Sequence, residues 1–157
     1  MPVTLKIFIA ALLINNIILM RFIGLCPYIG MTTDVKQSIG MGFAVTFVMV
    51  MASTVTWSLY YFVLVPLGLE FLQILIFILI IASLVQLVEF YLKKAAPALY
   101  MSMGIYLPLI TTNCAILAVT FDNITGGYTF IQSIVYSVGV ALGFLLAMLL
   151  LAGLRRR

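Results

Sequence analysis

The stretch NNIILMRFIGLCPYIG, residues 15–30, interrupts an apolar segment with residues that disfavour a membrane-spanning helix. It contains two asparagines, an arginine, a cysteine, a proline and two glycines. Proline removes a backbone donor and glycine permits non-helical backbone angles, so the stretch predicts a broken helix. Irregular backbone at membrane depth is tolerated only where it is buried in protein or lines a cavity. We therefore expect this segment to face protein rather than lipid.

The rest of the chain has the composition of an all-α polytopic membrane protein. Of its 157 residues, 66% are hydrophobic and 8% are charged, and the mean hydropathy is +1.32. Five apolar stretches, each far longer than a strand of a membrane barrel, cover residues 3–30, 37–65, 69–92, 98–121 and 128–154. Each can cross a hydrocarbon core about 30 Å thick. The net charge of +4 comes from basic residues near the ends of these stretches, apart from Arg21, and is therefore a topology signal rather than a nucleic-acid footprint.

The sign of the charge alternates from one connection to the next along the five stretches. Basic residues occur in the first and third connections and at the C-terminus, as Lys36, Lys93 and the arginines 155–157. The second and fourth connections carry only an acid, Glu70 or Asp122. The positive-inside rule then predicts that the N-terminus lies outside the cell.

Two parts of the sequence resemble each other. QSIGMGFAVTFVMVMA begins at Gln37 and QSIVYSVGVALGFLLAML begins at Gln132, and each follows a stretch that holds one of the two cysteines. This similarity predicts a single transmembrane domain, residues 1–157, made of two repeats, residues 1–94 and 95–157. Because three spans make one repeat, the second copy is inverted relative to the first, as in many transporters. The second copy lacks a third helix here, so we expect six helices in the complete architecture.

Both cysteines are predicted to lie near the middle of the membrane. Cys26 precedes Lys36 by about 15 Å of helix, and Cys114 precedes Asp122 by about 12 Å. Three interpretations remain open: buried small hydrophobes, a disulfide, or ligands of a metal or iron–sulfur centre. Since a [2Fe–2S] cluster takes four ligands, the last interpretation requires a partner that supplies two more.

Other polar groups within the apolar stretches have two interpretations each. Arg21 either offsets an anionic cluster or extends to the interface, and Glu89 either serves ion translocation or forms a helical ion pair with Lys93. The remaining polar groups, which either bond the broken backbone and neighbouring helices or bind an ion, are Asn15, Asn16, Thr111, Thr112 and Asn113.

Three motifs together resemble a known family across essentially the whole chain. NNIILMRFIGLCPYIGM, GMGFAVTFVMVMAS and GIYLPLITTNCAIL are similar to the A-type subunits of the Rnf complex, the ion-translocating ferredoxin:NAD⁺ oxidoreductase of bacteria. The E-type subunit of the Na⁺-pumping NADH:quinone oxidoreductase is a close relative, but Asn15-Asn16 and the Gly-Leu-Cys-Pro motif at residues 24–27 favour the Rnf side.

This resemblance implies a function, a cofactor and partners. It implies a translocase subunit of the bacterial cytoplasmic (inner) membrane that has no complete active site of its own. It also implies a mid-membrane [2Fe–2S] cluster, with Cys26 and Cys114 as ligands, shared with a homologous Rnf E-type subunit in inverted orientation. The cluster would relay electrons between ferredoxin-side iron–sulfur and flavin subunits, among the further Rnf components B, C, D and G.

Backbone N–H groups freed by the breaks at residues 24–27 and 111–114 are expected to donate hydrogen bonds to the sulfurs and so tune such a cluster. The cofactor-binding residues expected beside the cysteines are Gly24, Leu25, Pro27, Thr112 and Asn113. Changing Gly24 is expected to shift the cluster potential without removing the cluster. The alternative function is a small inverted-repeat transporter with structural cysteines, and the transported ion, Na⁺ or H⁺, stays open at this point.

Overall fold

A computed structural model describes residues 2–30, 34–68, 70–103 and 113–157, and the regular secondary structure in these ranges is helical. Helix α1, Val3–Ile9, continues as a π-helical segment, Ala10–Ile14, and is followed by the short helices α2, Ile17–Arg21, and α3, Leu25–Gly30. Helix α4, Val35–Leu59, continues through a π-helical segment, Tyr60–Leu64, into α5, Val65–Leu67. A 3₁₀ turn, Glu70–Leu72, precedes α6, Gln73–Ala95, and the remaining helices are α7, Pro97–Met103; α8, Cys114–Thr125; and α9, Phe130–Arg155.

Three helical segments in the described ranges are long and apolar enough to cross a membrane. They are Val35–Leu67, with 33 residues, Gln73–Ala95, with 23, and Phe130–Arg155, with 26. The cysteine-bearing stretches instead contain shorter apolar helices, Val3–Ile14 and Cys114–Thr125. This confirms an all-α membrane protein, and it confirms that the stretch with Cys26 is broken where its glycines and asparagines predict.

The core lies between the antiparallel helices α4 and α9. Gly42, in the first third of α4, packs against Leu145, just past the middle of α9. Trp57, near the end of α4, donates from Nε1 to the carbonyl oxygen of Tyr128, just before α9, at 3.0 Å. Gln37 and Gln132 are each the third residue of their helices. An inverted repeat requires antiparallel equivalents of this kind, and the repeat itself stays a prediction.

A cluster of polar side chains is buried where α4, α8 and α9 meet. Asn123 donates from Nδ2 to Ser53 Oγ at 2.6 Å and to Ser137 Oγ at 3.1 Å. Ser53 Oγ also lies 2.7 Å from Ser137 Oγ and 3.2 Å from Ser133 Oγ. All four side chains are buried. Because apolar groups give no net driving force for association in lipid, such hydrogen bonds help to hold the helices together.

Candidate functional site: two thiol-bearing helix starts

The first chain break occurs at Asn15–Asn16, against the middle of α9. The Asn16 side chain accepts a hydrogen bond from the backbone N–H of Ile18 at 3.2 Å and so caps α2. Its Nδ2 donates to the carbonyl oxygen of Gly143 at 3.0 Å. Gly143 permits this close approach, because a Cβ there would lie 3.0 Å from the Leu12 carbonyl oxygen. The predicted use of Asn16, bonding a broken backbone, is confirmed.

A tight turn then leads into the helix that carries the first cysteine. Phe22 and Gly24 have left-handed φ angles of 56° and 86°. Gly24 is buried, and a Cβ added there would lie 3.0 Å from Ala115 Cβ and 3.3 Å from the Phe144 ring. Helix α3 begins at Leu25, which is partly buried, so Cys26 is its second residue.

Pro27 is the third residue of α3. In the first turn of a helix the backbone N–H has no partner within the helix, so proline loses no hydrogen bond there. The motif Gly-Leu-Cys-Pro therefore encodes a turn followed at once by a helix start.

The second cysteine also begins a helix. Asn113 accepts a hydrogen bond through Oδ1 from the backbone N–H of Ala115 at 3.0 Å, and Cys114 is the first residue of α8. The Asn113 side chain therefore caps this 12-residue helix directly in front of Cys114. Thr111 and Thr112 lie outside the described residues.

The two thiol-bearing helix starts meet near the middle of α9. A Cβ added at Gly24 would lie 3.7 Å from Asn113 Oδ1, in addition to its contacts with Ala115 and Phe144. From this junction α3 runs toward the C-terminal end of α9, where Arg155 donates to the Ile29 carbonyl oxygen at 2.9 Å. Helix α8 runs toward the opposite end of α9. We call the contact of Gly24 with Asn113 and Ala115 the half-helix junction.

Cys26 and Cys114 are both exposed thiols, and neither forms a disulfide. In the isolated chain both residues are therefore accessible to lipid or to a partner subunit. Over the described ranges there is no group of three or more His, Cys, Asp or Glu side chains arranged to hold a metal ion. The two thiols, one in the first turn of each helix, would supply half of the four ligands of a [2Fe–2S] cluster.

An ion pair joins the first chain break to α8 and α9. Arg21 donates from Nη1 to Asp122 Oδ2 at 2.6 Å, and the Tyr136 hydroxyl donates to the same oxygen at 3.1 Å. The side chains of Arg21 and Asp122 are 46% and 22% exposed. In the sequence, Arg21 precedes the first connection, which the charge pattern places inside, and Asp122 lies in the fourth, which it places outside. The ion pair instead brings both residues to one level, because the chain turns back after Asn16.

The predicted ion pair between Glu89 and Lys93 is also wrong. Within the described part of the chain, Glu89 Oε1 instead accepts a hydrogen bond from the Tyr100 hydroxyl at 3.3 Å. Lys93 Nζ lies 5.8 Å from the centre of the same aromatic ring. Helix α7 folds back along α6 and places Tyr100 between the two charges, which sequence spacing alone does not reveal.

Comparison with known proteins assigns the family. The model of the family described as "Rnf-Nqr subunit, membrane protein" matches residues 4–157. The A-type subunit of the ion-translocating oxidoreductase complex of Syntrophotalea carbinolica is 56% identical over 153 residues, which cover 98% of this chain and 79% of the relative. The A-type subunit of the Na⁺-translocating ferredoxin:NAD⁺ oxidoreductase complex of Acetobacterium woodii is 54% identical, over 96% of this chain and 79% of the relative.

A third relative carries a name with a different ion. The A-type subunit of the proton-translocating ferredoxin:NAD⁺ oxidoreductase complex of Clostridium ljungdahlii is 48% identical over 98% of this chain and 79% of its own length. The motifs quoted from the sequence thus lie within a match that extends over almost the entire chain. The chain belongs to the Rnf-Nqr family of membrane subunits.

Proposed function

We propose that this chain is the A-type membrane subunit of a redox-driven ion pump that couples electron transfer from ferredoxin to NAD⁺ with ion translocation. In this proposal Cys26 and Cys114 supply two of the four thiolate ligands of a mid-membrane [2Fe–2S] cluster. A homologous E-type subunit in inverted orientation supplies the other two. The half-helix junction carries the proposal, because it brings the starts of both cysteine-bearing helices together while both thiols stay exposed.

The depth of the junction suits an electron relay. Gly24 contacts Phe144, and Phe144 lies close to the middle of the 26-residue α9. A helix of this length crosses a hydrocarbon core about 30 Å thick, so the junction falls near half depth. When bound, the cluster supplies a one-electron carrier, so that an electron crosses the insulating layer in two shorter steps instead of one long one.

The residues of this chain fix the two thiols in place. Asn16 and Asn113 cap the helices on either side of the breaks, so the irregular backbone keeps its hydrogen bonds. Gly24 lets the two segments approach, and Phe144 and Ala115 pack against it and exclude water from one side of the junction. Both cysteines are exposed, so a partner could complete the site.

We also propose that the N-terminus lies outside the cell and that the transported ion is either Na⁺ or H⁺. Relatives named for Na⁺ and for protons match this chain at 54% and 48% identity, so the family is compatible with either ion. The bacterial cytoplasmic membrane is the proposed location, and the Rnf components B, C, D and G are the proposed further partners.

Electron paramagnetic resonance and iron analysis of the purified complex test this proposal. We expect the wild-type complex to show a reduced [2Fe–2S] signal that is lost in Cys26→Ser and in Cys114→Ser, each with a matching loss of iron. Ser53→Ala serves as the control, because Ser53 lies in the buried polar cluster of α4 rather than at the junction, and its signal should remain. Native gels establish that every variant still assembles.

A signal that survives in both cysteine variants contradicts the proposal. The cysteines would then be structural, and the transporter interpretation of the inverted repeat would be favoured instead.

A further inference from the structure

One buried hydrogen-bond donor at the half-helix junction has no acceptor in the described part of the chain. It is Nδ2 of Asn113, a residue that is 3% exposed. In membrane proteins and soluble proteins alike, a buried N–H group normally has a partner, and leaving it without one costs free energy. This donor therefore requires an acceptor that the described residues do not supply.

The orientation of the Asn113 amide is fixed by its other atom. Oδ1 accepts from the backbone N–H of Ala115 at 3.0 Å. Exchanging the two ends of the amide would place an N–H group against another N–H group, so Nδ2 is the atom left over. The unsatisfied atom is therefore a donor, and it requires an acceptor.

Asn16 provides an internal comparison. It caps α2 through Oδ1 in the same way, but its Nδ2 donates to the Gly143 carbonyl oxygen at 3.0 Å. The two asparagines thus share the cap and differ in the use of the second amide atom. Of these two, only Asn113, which is next to a cysteine, has an Nδ2 donor without an acceptor in the described part of the chain.

The surroundings of Asn113 limit the acceptors. Its amide lies beside Gly24, two residues before Cys26, and Cys114 is the next residue along the chain. A neutral thiol is a weak acceptor, whereas the sulfur of a ligating thiolate carries charge and accepts well. Of the two forms, a ligating cysteine sulfur is therefore the better acceptor for this donor.

We propose that Asn113 is a positioning residue whose Nδ2 donates a hydrogen bond to a cysteine sulfur at the half-helix junction and thereby raises the reduction potential of the centre. This inference rests on the proposed function. Hydrogen bonds to sulfur stabilise the reduced centre, which carries one more negative charge. Asn113 would then raise the reduction potential of the mid-membrane cluster and also cap the start of α8.

The test is a potentiometric titration of the [2Fe–2S] signal in the purified complex with Asn113→Ser. Serine retains an oxygen that can cap α8 and removes the Nδ2 donor. We expect a midpoint potential lower than that of the wild type, with iron content unchanged. The control is Ser53→Ala, which removes a buried hydrogen bond in the polar cluster away from the junction, and its potential should equal the wild-type value within the repeat error.

A second measurement does not depend on any variant folding. In wild-type complex labelled with ¹⁵N at the side-chain amide of asparagine, pulsed EPR should show a ¹⁵N coupling to the reduced centre. An unchanged potential in Asn113→Ser, or no ¹⁵N coupling in the wild type, overturns the inference while the proposed function stands. The absence of any [2Fe–2S] signal from the wild type would overturn both.

Discussion

At the scale of single residues, Gly24 combines a left-handed backbone with close contacts on two sides. We expect Gly24→Ala to lower the free energy of unfolding by about 1–2 kcal/mol for the backbone alone, with further strain from the contact to Ala115. Denaturant unfolding in detergent measures this. The control is Gly153→Ala, since a Cβ at Gly153 meets nothing within 4 Å. Equal stability of Gly24→Ala and the wild type would contradict the geometry of the junction.

The ion pair between Arg21 and Asp122 also belongs to the residue scale, because it joins side chains 101 positions apart. Both are partly exposed, so a double-mutant cycle with Arg21→Gln and Asp122→Asn should give a coupling free energy of about 1 kcal/mol. A coupling of zero would show that the two segments are held together without this pair. Tyr136→Phe, which removes the second donor to Asp122, should increase the coupling, because Arg21 becomes the main partner of the carboxylate.

At the scale of helices, the buried polar cluster connects α8 to α4 and α9. Asn123 is central to it, with hydrogen bonds to Ser53 and Ser137. We expect Asn123→Ala to destabilise the protein by about 1 kcal/mol, the size of hydrogen bonds between membrane helices, and to increase hydrogen exchange along α8. Thr125→Ala is the control, since Thr125 is exposed and bonds only within its own helix. If both variants exchange alike, the cluster does not anchor α8.

At the scale of the whole molecule, the charge pattern of the connections predicts which ends of the helices face each side of the membrane. The new thiol of Thr125→Cys, at the end of α8, should react with a membrane-impermeant maleimide added outside intact cells. The new thiol of Lys93→Cys, near the end of α6, should react only after the cells are opened. The native thiols of the wild type provide the background. The reverse pattern would contradict the N-terminus-outside orientation derived from the charges.

The structural features that depend only on residues close together in the sequence could be predicted from it. The membrane class follows from hydropathy, and the break before Cys26 follows from Gly24, Pro27 and the asparagines, because glycine and proline act within one turn of the chain. The pairing of Arg21 with Asp122 and the contact of Tyr100 with Glu89 were not predicted. Both depend on a segment folding back, and such a reversal changes which distant side chains meet without leaving a periodic pattern.

The central claim is that the half-helix junction holds half of a shared iron–sulfur cluster. An electron cryo-microscopy map of the purified complex tests it most directly, at the position where α3 and α8 begin. We predict strong density for two iron atoms in contact with the Sγ atoms of Cys26 and Cys114, completed by two sulfur ligands of the partner. A map in which lipid or apolar side chains cover the two thiols, with no metal density between the subunits, would contradict the account.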